Sequence, residues 1–390
     1  GGSGGRYGSG FDSDAEERRY RREDNWYQEK EPVLEQERRR KESRKRAYRF
    51  RPGIFLRNIL ILLLILCAAA GCIFFALTSG LKTTDLDRSS LAIPEEAKSS
   101  LSDYQNIVIL GSDARAGESY KGSRTDAIMI LSINKKTGKA KMISVMRDSY
   151  LRFSGSNGQN VYEKVTHAFA YGGAENTLSA LNRAMDLNIS QYVLFNWKAV
   201  TDAVDSLGGV EIDVKADEVD DLNRNGDDTA KNVGGTYTPV TGAGNMLMDG
   251  VQATTYCRIR ETSGGDVARG NRTKIVFEAI LSKAMKNPLK LKSMMDTVLP
   301  ELQTNFTKAE LFKLALSSRK MDITENLSWP KSYYGGIVDG MWVAVPATLR
   351  ENVIWLHKEA FGDSDYVPSD ACTSLSESII EESGHRTANN

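Results

Sequence analysis

Four ionisable residues, Asp113, Arg115, Arg124 and Asp126, crowd into "GSDARAGESYKGSRTD" (111–126), between the apolar runs "NIVIL" (106–110) and "AIMILSIN" (127–134). Carboxylates alone repel phosphate, and arginines alone bind it without needing carboxylates. The two together suggest a hard divalent cation bridging Asp to a polyphosphate while Arg holds the remaining oxygens. The bland reading is a set of salt bridges in a solvated loop, and any single pair fits it. More charges point the same way. "VMRD" sets Arg147 and Asp148 at the end of another apolar run, and "YCRIR" sets Arg258 and Arg260 two apart, on one face of an expected strand with Cys257 and Ile259 opposite. Just beyond, "GGDVARGNRTKIVFEAI" reads as a loop running into a helix, with Arg269 and Arg272 three apart on one face and free backbone N–H groups at the helix start.

The elements that must position these residues are legible as short apolar or alternating runs, "NIVIL", "AIMILSIN", "AKMISVM", "YVLFN" and "GVEIDV", separated by helical stretches. Helices are expected at 174–185 after the Gly172-Gly173 break, at 197–207 before Gly208-Gly209, and at 273–286, 291–299, 308–318 and 348–360. Such alternation predicts a three-layer α/β/α domain over 102–362, a central mixed sheet with helices on both faces. In open α/β sheets the ligand meets the loops beyond the carboxyl ends of strands, where the 111–126 loop falls.

Other catalytic patterns are weak. The three histidines lie near no G-x-S-x-G, and His167 in "KVTHAFAYGG" reads as a packed helix residue. There is no P-loop lysine pattern and no G-x-G-x-x-G after a strand. "DLNRNGDDTAKN" (221–232) fits the first half of an EF-hand loop, but Asn232 replaces the twelfth-position Glu, so it reads as a polar surface insertion.

Residues 59–78, "ILILLLILCAAAGCIFFALT", are uncharged and long enough for a helix of roughly 30 Å, which predicts a transmembrane anchor preceding the domain. Ten Lys and Arg in 38–58 against three in 79–98 put the N-terminus in the cytoplasm and the domain outside the cell membrane. Residues 1–58 read as a disordered charged tail, 79–101 as a stalk and 363–390 as a flexible tail. The formal net charge of zero divides into +5 for 1–58 (16 basic, 11 acidic) and −5 for the remainder (35 basic, 40 acidic). An exterior of that balance has no nucleic-acid footprint, and the basic tail beside the span suits anionic lipid. Cys257 and Cys372 could form one disulfide; no Cys/His spacing suggests zinc.

In order, "GSDARAG…GSRTDAIMILSIN", "ISVMRDSYL", "EKVTHAFAYGGAE", "DSLGGVEIDV", "GVQATTYCRIR" and "GGDVARGNR" resemble the LytR-CpsA-Psr family of cell-wall glycopolymer ligases, over about 103–362. The resemblance implies an enzyme that takes a glycopolymer from a polyprenyl (pyro)phosphate carrier and joins it by a phosphodiester to peptidoglycan. By motif position it implies Mg²⁺, or another divalent ion such as Mn²⁺, at Asp113 and Asp126. It also implies pyrophosphate-binding arginines at Arg124, Arg147, Arg258 and Arg260, a pocket lysine at Lys164, and a late acid and base pair at Asp266 and Arg269. Arg272 is followed by Thr273 and Lys274 where members often carry Gln-Gln, so the phosphate shell departs there. A carboxylate among Asp113, Asp126 and Asp266 could accept the proton of the attacking sugar hydroxyl. Two other readings share the site: a polyprenyl pyrophosphate hydrolase, and a non-catalytic prenyl-phosphate-binding sensor or scaffold.

Overall fold

Apolar runs rich in β-branched residues become strands wherever a neighbour can pair with them and a helix can cover their faces. In the computed structural model, which describes residues 81–259, 265–307, 309–311, 313–314 and 322–389, the first strands are β1 (Lys82–Thr83), β2 (Tyr104–Ser112), β3 (Thr125–Asn134), β4 (Lys139–Val145), β5 (Tyr150–Ser154), β6 (Asn160–Lys164) and β7 (Gln191–Asn196). They are followed by β8 (Val210–Val214), β9 (Gly244–Met248), β10 (Gln303–Thr304), β11 (Asp322–Trp329), β12 (Tyr333–Val338) and β13 (Met341–Pro346). The helices are α1 (Glu95–Ser100), α2 (Thr166–Met185), α3 (Trp197–Ser206), α4 (Val219–Val233), α5 (Gly250–Arg258), α6 (Gly265–Lys286), α7 (Pro288–Val298), α8 (Leu349–Phe361) and α9 (Asp370–Ser383).

Seven strands form the central sheet in the order β1-β10-β7-β2-β3-β4-β11. It is mixed: β2 runs antiparallel to β3 and parallel to β7, β3 antiparallel to β4, and β4 parallel to β11. Val108, Leu110, Ile130 and Val145 on one face pack with α2, α8 and α9, burying Leu178, Val353 and Ile379. The other face turns Ile107, Leu131 and Met142 toward Phe306 and Leu314. Beside them a further cluster joins Phe195 of the sheet to α3, α5 and α6. The two helical layers expected from the alternation are therefore present.

The pairing brings the carboxyl ends of β2, β4, β7 and β11 and the amino end of β3 to one edge of the sheet. The amino end of β1 falls at that edge. Lys82 pairs with Gln303, Gln303 with Leu194, and Leu194 with Leu110, while β1 runs antiparallel to β2, so Lys82 lies on the side of the sheet where β2 ends.

Several expectations are corrected. The stalk region contributes strand β1 and the fully buried Leu91, Ala97 and Leu101 to the fold. The C-terminal region carries α9, which has Ser369 as N-cap and Cys372, Leu375 and Ile379 buried. Residues 221–232 form most of α4, an amphipathic helix that buries Leu222, Ala230 and Val233, rather than a surface insertion. Arg258 ends a helix, not a strand, because Asp249 and Gln252 form a capping box that starts α5. Cys257 and Cys372 are free and buried, in separate clusters. The expected helix at 174–185 is the second part of α2, which kinks where Gly173 takes φ 65°, a left-handed conformation suited to glycine. Among the described residues no helix is long and apolar enough to cross a membrane; the expected span at 59–78 and the tail at 1–58 lie outside the described residues.

Candidate active site

The loop after β2 is closed at its neck by Asp113 and Arg124. Asp113 N–H donates to the Arg124 carbonyl (2.9 Å), and the Asp113 carboxylate accepts from Arg124 N–H (2.7 Å) and Arg124 Nε (3.2 Å). Ser112 Oγ donates to Ser123 Oγ (2.7 Å) one step inward. The far side of the loop is moored by Ala116 N–H on the Asn232 carbonyl of α4 (2.9 Å) and by the Tyr120 hydroxyl on the Glu301 carbonyl. Arg115 and Arg124 stay exposed.

Asp126 owes its direction to a β-bulge. Gly111 pairs with Ala127 and Ser112 with Thr125, which leaves Asp126 as the extra residue of β3. On its other side Ile128 pairs with Val145, a register that brings Asp126 level with Arg147 just past the end of β4. Arg147 Nη1 donates to Asp126 Oδ1, while Arg147 Nε lies 3.4 Å from Asp148 Oδ2 and Lys164 Nζ 3.0 Å from Asp148 Oδ1. Thus Asp126, Arg147, Asp148 and Lys164 form one ionic chain, with Asp148 only 6% exposed as its pivot. The start of α2 locks it in place: Thr166 N–H donates to the Arg147 carbonyl (3.0 Å) and Thr166 Oγ1 to the Thr125 carbonyl (2.9 Å).

The later arginines divide. Arg258 Nη1 donates to Thr229 Oγ1 (2.9 Å) and Nη2 lies 3.4 Å from Asp228 Oδ2, so α4 links it to the 111–126 loop through Asn232. Arg272 is corrected from ligand contact to support. It is 3% exposed, pairs with Glu218 (2.9 Å) and donates to the Ile259 carbonyl (3.0 Å), because a buried guanidinium must be paired and its donors satisfied. Arg260 lies outside the described residues, and of Asp266 and Arg269 only the backbone, in α6, is described.

A cavity of about 730 Å³ opens beside the loop, between residues 117–122, the kink of α2 and the β1–β10 edge. Tyr120, Phe169 and Tyr171 give it apolar surface, and Lys82 and Lys121 line it together with one carboxylate, Glu118. Near it lie Glu163 and Tyr171, which the sequence does not single out, and His167, expected as a packed helix residue. Glu163 Oε1 accepts from His167 Nδ1, and Glu163 Oε2 accepts from the Tyr171 hydroxyl (2.9 Å), a bond that raises the Tyr171 pKa together with partial burial. Their spacing of four was visible in "EKVTHAFAY", but not the change from strand to helix at Val165 that brings them together.

Among the described residues no three His, Cys, Asp or Glu side chains gather as a ready metal cage. Asp113 and Asp126 nonetheless suit a hard cation of the Mg²⁺ kind. They offer only carboxylate oxygens from two adjoining strand ends, the hard donor type that such an ion would take.

The profile of the LytR_cpsA_psr family matches residues 76–357. The polyisoprenyl-teichoic acid–peptidoglycan teichoic acid transferase TagT of Bacillus subtilis is 32% identical over 209 residues, 53% of this chain and 61% of that protein, so less than two thirds of that relative's length is spanned. A transferase named TagU, of Bacillus mycoides, is 26% identical over 66% of this chain and 79% of its own length. A Streptococcus agalactiae crystal structure shares the fold with a TM-score of 0.56 and 22% identity, covering 71% of this chain and 93% of that one.

Proposed function

The chain belongs to the LytR_cpsA_psr, or LytR-CpsA-Psr, family, and from that membership we propose that it is a membrane-anchored transferase that moves a glycopolymer from a polyprenyl (pyro)phosphate carrier to peptidoglycan and joins the two by a phosphodiester. Relatives named as polyisoprenyl-teichoic acid–peptidoglycan transferases support this reading. The observation that carries it is the ionic chain Asp126–Arg147–Asp148–Lys164 beside the Asp113–Arg124 neck, at the edge where the strand ends and the amino end of β1 coincide.

Phosphoryl transfer leaves little covalent work to the protein and depends on positioning and charge neutralisation. Arg124 and Arg147 would neutralise the donor phosphates, each aimed by its own carboxylate, and Lys164, fixed by Asp148, adds a third cation. Arg115, Arg258 and Arg260 would widen the positive rim. Asp113 and Asp126 would hold Mg²⁺ or Mn²⁺, which when bound supplies charge stabilisation to phosphate oxygens. The cavity, with lysines at its rim and Phe169, Tyr120 and Tyr171 among its lining, suits a phosphate leading into an isoprenoid. An anchor ahead of Lys82 would keep that opening close to the bilayer, where a lipid carrier exposes its phosphates.

The test is the full chain in detergent with Mg²⁺, a polyprenyl pyrophosphate-linked glycan and a peptidoglycan oligomer. A covalent glycan–peptidoglycan conjugate, seen by mass spectrometry, is the expected product. Phosphate release indifferent to the acceptor would instead mark a hydrolase, and binding without turnover a sensor.

A further inference from the structure

We propose that His167, oriented by Glu163, is the general base that takes the proton from the acceptor hydroxyl; the assignment rests on the transferase reading above. The carboxylates at the strand ends are engaged by cations. Asp113 accepts from Arg124, Asp126 from Arg147, and Asp148 lies against both Arg147 and Lys164. Their oxygens are thus already occupied by these ion pairs.

His167 is placed differently. It follows Thr166, whose N–H and Oγ1 are bonded to the Arg147 and Thr125 carbonyls, so its backbone is fixed next to Asp126. Its Nδ1 faces Glu163 Oε1; a carboxylate accepts, so Nδ1 donates, and in the neutral ring this tautomer leaves the Nε2 lone pair for a proton. No partner for Nε2 is present among the described residues. The side chains of His167 and Glu163 are 18% and 15% exposed, open to a substrate hydroxyl yet shielded. One turn further along α2, Tyr171 lines the cavity, with its ring 6.2 Å from the imidazole. The imidazole is thus linked to the cavity lining through Tyr171, and its backbone to the strand ends through Thr166.

In the proposed step the acceptor O–H proton passes to Nε2 while its oxygen forms a bond to the glycan-side phosphorus. The bond from that phosphorus to the bridging oxygen breaks, and its electron pair leaves with polyprenyl phosphate. The imidazolium, paired with Glu163, returns its proton to water. The ionisable groups around the ring are Glu163 of β6 and Tyr171 of α2, with Tyr150 of β5 near Glu163 and Asp126 and Arg147 beyond Thr166; Lys164 is turned to Asp148.

The experiment measures transfer by the full chain from pH 5 to 9, with the same donor and acceptor, alongside donor binding and thermal melts. H167Q is expected to lose about 10²–10⁴-fold in kcat and the acidic limb of the profile, with donor binding unchanged. E163Q, which retains the ring, is expected to shift that limb to lower pH and to slow transfer less. If H167Q does not fold, the E163Q shift carries the test. H167Q activity within threefold of wild type, or an E163Q profile superimposable on wild type, overturns the assignment while leaving the transferase reading intact. Absence of transfer by the wild-type chain overturns both.

Discussion

Arg147 stands between two carboxylates, Asp126 and Asp148, and is the residue on which the site's geometry turns. Its guanidinium is preorganised by partners that themselves belong to the fold, so it need not reorganise when phosphate charge develops. Replacing it with Ala should lower kcat by about 10²–10³-fold, the usual effect of removing one preorganised donor. The check is kcat measured beside a melting curve, since an unchanged kcat in a folded variant would remove Arg147 from the chemistry. Arg272 illustrates the opposite role. With both partners about 4% exposed, Arg272→Met strands the Glu218 charge and should destabilise the protein by about 3–5 kcal/mol. Urea unfolding measures this, and adding Glu218→Gln should recover part of the loss. In sequence the two arginines look alike; burial and partner separate them.

Three helices interlock where α2 ends. Asp186, at φ 49° as the C-cap of α2, accepts from Ser369 N–H (2.8 Å), Ser369 Oγ (2.6 Å) and the Tyr366 hydroxyl (3.0 Å), which docks the start of α9. His357 of α8 donates from Nε2 to the Met185 carbonyl (3.1 Å) and stacks on Tyr366 with ring centroids 3.5 Å apart. Burial lowers its pKa to about 4 from the usual 6.5. A depressed folded pKa means that the stability from neutral His357 is complete above pH 6.5 and is lost as pH falls through about 4. The loss should approach about 3 kcal/mol, and His357→Gln should flatten that part of the curve of melting temperature against pH. Equal slopes in the two proteins would refute it. The Ser- and Glu-rich composition of 363–390 hid this helix. Its buried Cys372, Leu375 and Ile379, three and four apart after the N-cap Ser369, were the signal that composition outweighed.

For the whole molecule the arrangement along the sheet matters most. The cavity lies by β1, and the ionic site at the ends of β2, β3 and β4. On the proposed function, a lipid-borne donor would reach the phosphates by way of this cavity. Deleting 59–78 should therefore reduce transfer from a vesicle-embedded donor at least tenfold and leave transfer from a detergent-dispersed donor nearly unchanged. Equal losses in both assays would detach the anchor from substrate delivery.

The amino-acid sequence by itself determined the alternating elements, the mixed sheet between helical layers, the apolar segment at 59–78 and the order of the Asp and Arg motifs, because hydrophobic period and local spacing are written along the chain. Only the tertiary structure decided which charges meet. Asp126 faces Arg147 because a bulge and a strand register put it there, Arg258 joins α4 because a capping box turned its segment into a helix, and Arg272 withdrew into the core. Registers, bulges and burial arise from contacts between segments distant in sequence, and no local pattern encodes them.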